Sequence, residues 1–258
     1  MKKRVLFIFL IFIFLSLFPL LAAQSNQSMT DAGYSCLNSK IGDCSSLSLG
    51  QKIFSALATG KCISQVDSSM ESNGGYKISG AFDIKTTSQA ILALKTSGHS
   101  TTKSTDWLLT QSQPTADINW YLQIDSNAAT SCTVSDSSSS YTVGVNADKT
   151  ISNGAGSCLS VSSNGYWLSV SPSCYRTNFS VSCDQPFTTT ELYQRAGYPT
   201  IYISSSSQSS SQGGTLKNSF SSYCFGTGST CNYEASLWAA LALDFTRKDI
   251  SSYIPYLT

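Results

Sequence analysis

Histidine is almost missing from this chain: His99 is the only one among 258 residues. A Ser-His-Asp triad, a Cys-His pair or a multi-histidine metal site therefore has a single residue to build on. That residue lies between Gly98 and Ser100 in a polar turn, where a histidine is ordinarily solvated. Charge is scarce as well, at 12% of residues. Lys+Arg 16 against Asp+Glu 15 becomes 13 against 15 once Lys2, Lys3 and Arg4 of the leader are set aside, so there is no basic field for nucleic acid. No Cys-x-x-Cys pair occurs among the nine cysteines, which removes the usual thiolate metal motif. Neither a metal nor a cofactor is implied.

What is present begins with a leader. Residues 1–23 place three cations before an unbroken apolar run from Val5 to Leu15 and close on Ala22 and Ala23, the layout of a secretory signal peptide. Val5 to Ala23 is also close to the length that crosses a bilayer, so an uncleaved anchor is the alternative and would be the only membrane attachment. Either way the remainder is expected outside the cytoplasm, secreted or on the extracellular face of the membrane. All nine cysteines follow the leader, which suits an oxidising compartment. The spacing favours Cys36 with Cys44 and Cys224 with Cys231, leaves three connectivities for Cys132, Cys158, Cys174 and Cys183, and leaves Cys62 over. Asn26 and Asn178 head two glycosylation sequons.

Apolar spacing predicts helices over 45–59, 86–96 and 104–113, the second ended by Gly98 and the third by Pro114. Setting Ala93-Leu94 over Ala242-Leu243 brings Ala90 onto Ala239, Trp107 onto Tyr256 and Leu108 onto Leu257, so the helical hairpin recurs near the C-terminus. Between the copies the period changes to alternation, in Asn119 to Ile124, Tyr141 to Val145, Cys158 to Val161, Tyr166 to Val170, Phe179 to Cys183 and Thr200 to Ile203. Short strands with turn signals at about ten-residue spacing predict an antiparallel β-sandwich. The serine run over 204–211 reads as a low-complexity loop ending in a glycine hinge, the first place a protease should cut. The expected division is 1–23 leader, 24–117 helical, 118–205 inserted sandwich and 206–258 helical.

The words Ser88-Gln89-Ala90-Ile91-Leu92-Ala93-Leu94, Trp107 to Gln113 and Glu234 to Leu243 resemble repeats of the α/α-toroid proteins, a group holding terpenoid cyclases, protein prenyltransferases and thioester domains. The resemblance covers about 50 residues and implies a ring of helical hairpins around a central cavity; together with the alternating segments the expectation is an α+β protein of toroid-like helical hairpins, incomplete in this chain, carrying the inserted sandwich. It implies no chemistry. The cyclase acid motif is reduced to Asp83, a prenyltransferase zinc site lacks its histidine, and the thioester word is absent around Cys62. The chain stops as the second hairpin begins its second helix, which reads as a fragment of a longer toroid or as faces covered by partners.

Candidate site residues are few. Glu71, Glu191 and Glu234 could serve a carboxylate enzyme in principle, but no cluster is expected around them; Glu234 reads first as a helix N-terminal charge. Trp120, Trp167, Tyr166 and Tyr233 could form a platform for sugar rings, although alternation sends one of each adjacent aromatic pair to the core. These features favour a non-catalytic surface interaction or scaffold module with a protein or glycan partner, the alternative being a secreted carbohydrate-active or toroid-type enzyme.

Overall fold

A computed structural model describes residues 27–115 and 117–258. The leader and Asn26 lie outside the described residues. The described chain is mixed α+β, with seven α-helices and several antiparallel sheets.

Helix α1 covers 27–41 and is exposed along almost its whole length. Helix α2, Leu49–Thr59, starts at a capping box in which Ser48 and Gln51 satisfy each other's backbone N–H, and stops at Gly60 in the left-handed region. After the short α3, Ile63–Ser68, strands β1 (Lys77–Ile78) and β2 (Ala81–Phe82) form a hairpin. It leads straight into α4, Ile84–Thr96, whose first turn is capped by the Asp83 carboxylate accepting from Thr86 N–H at 2.7 Å. Every residue of α4 from Thr86 to Leu94 is buried, because α2, α3, α5 (Thr102–Thr110) and α6 (Tyr233–Phe245) all pack against it.

Strand β3, Ser112–Pro114, takes the last residues that sequence assigned to the third helix. The chain then builds two antiparallel sheets. One has the order β11-β10-β4-β8-β7, with β4 Ile118–Ser126, β7 Leu159–Val161, β8 Leu168–Val170, β10 Phe187–Arg195 and β11 Ile201–Ser210. The other has the order β12-β9-β5-β6, with β5 Thr130–Ser135, β6 Ser140–Val145, β9 Asn178–Cys183 and β12 Thr215–Ser219. Their inward residues share one core, in which Trp120, Leu122 and Ile124 of β4 meet Val134, Val143, Phe179 and Val181 of the facing strands. Outward positions are mostly serine, threonine and other polar residues, the alternation of sheets wet on one side.

Two boundaries differ from the sequence expectation. The serine run is not a loop: β11 pairs along β10 through Ser209 and Ser210, and its hydroxyls bond across, Ser209 to Thr188 at 2.9 Å and Ser207 to Thr190 at 3.1 Å. The two-sheet body also runs beyond residue 205, because β12 pairs with β9 and Phe220 fills the core. Strand β13, Tyr223–Thr227, then pairs with β3 and with β14, Thr230–Cys231, before α6, Tyr233–Phe245, and the short α7, Ile254–Leu257.

Four disulfides join Cys44 to Cys62, Cys132 to Cys183, Cys158 to Cys174 and Cys224 to Cys231. The expected Cys36–Cys44 bond is corrected. Cys36 is free and exposed on the α1 helix, whereas Cys44 follows the turn that ends that helix. Cys44 instead turns inward beside Ile41 and meets Cys62 in a small buried cluster. Four bonds fit an oxidising, extracellular environment. No described helix is long and apolar enough to cross a membrane.

The hairpin offset holds in three dimensions and reaches further than the helices. Moving 149 residues along the chain carries Ile84 onto Tyr233 and Thr96 onto Phe245, the two ends of α4 onto the two ends of α6. The same step carries the β1–β2 pairing, Lys77↔Phe82 and Ile78↔Ala81, onto Gly226↔Cys231 and Thr227↔Thr230. It carries cap Asp83 onto cap Asn232, and even single bonds correspond. Tyr76 N–H donates to Thr87 Oγ1 at 3.0 Å, as Phe225 N–H donates to Ser236 Oγ at 2.8 Å. The repeating unit is therefore a β-hairpin followed by a side-chain-capped helix.

Candidate functional site

The two units meet at their helix N-termini. Lys85 and Glu234, which are equivalent positions, face each other across the junction and form an ion pair at 2.6 Å. Around it opens a cleft of about 300 Å³, walled on one side by Phe82 and Trp107 and on the other by the Gly226 to Gly228 turn, with Gln111, Asn232 and Asp83 adding polar edges. The ring wall depends on Gly75, where a side chain would run into both Phe82 and Trp107 at 2.8 Å. Those rings sit 5.6 Å apart, tilted, with Lys77 over the Phe82 face.

The polar groups of the cleft already have structural partners. Asp83 and Asn232 each accept a helix N–H, from Thr86 and from Ala235. Glu234 is held by Lys85, and both ends of that pair remain solvent-facing.

Next to Glu234 in sequence, Tyr233 opens a second concavity of about 270 Å³ together with Arg195, Tyr198, Thr200 and Tyr202. Arg195 lies against the Tyr198 and Tyr256 rings at 5.3 and 5.8 Å, and Tyr233 packs on Tyr256. Tyr256 has its hydroxyl pushed up by burial, an effect the nearby Arg195 charge opposes. The first turn of α6 is thus a ridge between an acid-and-amide cleft and a tyrosine groove.

Of the residues chosen from sequence, Tyr233 and Glu234 come together on this ridge. Trp120 does not: it points inward on β4, is 3% exposed, and packs on Tyr193 and Phe220, so a binding role for it is corrected to core. Tyr166 is exposed and Trp167 half-buried against Tyr121, at the β7–β8 turn of the two-sheet body. Asn178 is exposed at the start of β9. Glu71 pairs with Lys77 at 3.4 Å, and Glu191 is buried between the sheets, accepting from Ser219 N–H, so the three glutamates belong to separate sites. Among the described residues no group of three or more His, Cys, Asp or Glu side chains comes together that could hold a metal ion.

Lys85, Phe82 and Arg195 escaped the sequence reading. The offset that aligned the apolar residues of the two hairpins also aligns Lys85 with Glu234, and extending it to polar positions was the available signal. Nothing local in the sequence marks Arg195, which reaches the groove from the end of β10. No family model, curated protein or solved structure matches the chain, so the geometry alone carries the functional reading.

Proposed function

We propose that this is an exported, disulfide-stabilised, non-catalytic binding module, and that a glycan at the cell surface is its ligand. In this reading the two-sheet body is a β-sandwich inserted between toroid-like hairpins, and the ridge at the start of α6 is the binding surface. The observation that carries it is the tyrosine groove. Tyr198, Tyr202 and Tyr233 are each more than a third exposed around one concavity, with Arg195 among them. Amphipathic rings of this kind cover the apolar faces of sugars while their hydroxyls stay wet. The adjoining cleft adds amide and carboxylate edges suited to sugar hydroxyls.

The test is an immobilised-glycan screen followed by calorimetry on the saccharides retained. Tyr233→Ala and Tyr198→Ala should each weaken binding at least tenfold, while Tyr166→Ala, on the far turn, should leave it unchanged. Retention of no saccharide, or full affinity in the Tyr198/Tyr233 double variant, would sink the proposal.

One observation favours a second reading, an enzyme acting on carbohydrate: Asp83 and Glu234, two carboxylates, line the same cleft. Saccharide turnover that vanishes in Glu234→Gln with unchanged folding would put the enzyme first.

A further inference from the structure

The repeat has a direction. Helix α4 rests on α2 through Ala90, Ala93 and Leu94, which cluster with Ile53 and Ala56. Helix α6 rests on α4 through the equivalent residues Ala239, Ala242 and Leu243, which cluster with Ile91 and Leu92. Each helix therefore turns the same face back toward its predecessor, and α2, α4 and α6 form a row. The forward face of α4, at Ser88 and Leu92, is 0% and 8% exposed because α6 covers it. The equivalent residues of α6, Leu237 and Leu241, are 48% and 49% exposed. Tyr233 and Phe245, one turn to either side, extend them into a stripe of four large apolar residues at four-residue spacing.

The other end of the row is also apolar. Between α1 and α2 lies a groove of about 550 Å³ lined by Leu37, Ile41, Leu47, Phe54 and Ala58, with Lys40 at its edge. Phe54 is 52% exposed there. Asp244, exposed beside the C-terminal end of the α6 stripe, is opposite in charge to Lys40 of the groove and so complementary to it; Glu234, at the other end, is already paired with Lys85.

We infer that the forward face of α6 docks into the α1–α2 groove of a second copy of this chain, so that copies add head to tail as α6 already adds to α4. A stripe meeting a different patch on its neighbour is a heterologous contact, which closes into a ring or continues as a filament and does not stop at a two-fold dimer. The stripe shares Tyr233 with the tyrosine groove, but Leu237 and Leu241, which carry the contact, line neither that groove nor the cleft, so the inference does not rest on what the groove binds.

Sedimentation velocity of the purified, disulfide-intact protein over a concentration series provides the test. Mass should grow past two protomers or settle at a larger ring. Leu241→Asp and Phe54→Asp should each weaken self-association at least tenfold, and their equimolar mixture should form a one-to-one complex, since each variant keeps one intact face. Circular dichroism and thermal midpoints identify folded variants, with Leu241→Lys and Phe54→Ser as replacements if the aspartates fail to fold. A monomer at every concentration, an assembly that saturates at two, variants that assemble like the parent, or a mixture that stays monomeric would each overturn it.

Discussion

Asp184 fastens a corner of the two-sheet body. Its carboxylate accepts from the Thr130 hydroxyl and from Ser131 N–H, and these bonds hold its carboxyl below the usual carboxylate range. Asp43, Asp136, Asp148 and Asp249 are lowered in the same way by a serine or threonine two residues on, and Asp136 also by Ser139. A carboxyl that is more acidic folded than unfolded stabilises the fold above its unfolded value, here near 3.8, and loses that contribution as pH falls through the folded one. The urea midpoint should therefore be insensitive to these groups between about pH 5 and 7 and should drop below about pH 4. Asp184→Asn should lower the midpoint at neutral pH and flatten the acid limb, and an unchanged acid limb would count against this assignment.

At the scale of the element, the recurring unit makes paired claims. Ser236 is wholly buried, and its hydroxyl accepts from Phe225 N–H while donating within the turn. Thr87 does the same for Tyr76. Ser236→Ala and Thr87→Val each leave a buried N–H without a partner, so each should cost about 1–3 kcal/mol in denaturant unfolding. Ser236→Thr should cost less than Ser236→Ala. A pair of very different penalties would show that the two units are equivalent in outline only. The helices were legible because apolar residues recur at three and four positions over a full face, but their starts were less so: the pattern opens the first at 45 and the second at 86, whereas the caps are Ser48 and Asp83. Strands β5 and β10 were not. Thr130-Ser131-Cys132-Thr133-Val134-Ser135 offers hardly any large apolar residue, and its strand form rests on pairing with β6 and β9 from distant sequence. The serine run failed for a related reason. Its composition is that of a linker, but along β10 an edge strand needs only backbone pairing and hydroxyls that bond across.

For the whole molecule, the cysteine pattern gives a direct test. Of nine cysteines, eight are bridged and Cys36 is free and exposed. Mass spectrometry of protein from an oxidising compartment should find a single site open to alkylation without reductant, at Cys36, and nine after reduction. Alkylation at Cys62 instead would restore the pairing that spacing first favoured. Spacing failed there because it treats the loop as free chain, whereas Cys36 is carried on a helix and Cys62 is brought back to Cys44 by the α2–α3 turn. The candidate site was half legible: Tyr233 and Glu234 stood out as the start of an apolar helix, but their neighbours come from residues 82–111 and 195–202, beyond any local pattern. The strands that lead into and out of the two-sheet body, β3 and β13, are zipped to each other, Gln113 opposite Cys224 and Ser112 opposite Phe225. Neighbouring strands lie only about 5 Å apart. The residues between them therefore form a cassette with adjoining ends, one that could be lifted out and replaced by a tight turn, or exchanged for another insert, while the helical row keeps its register.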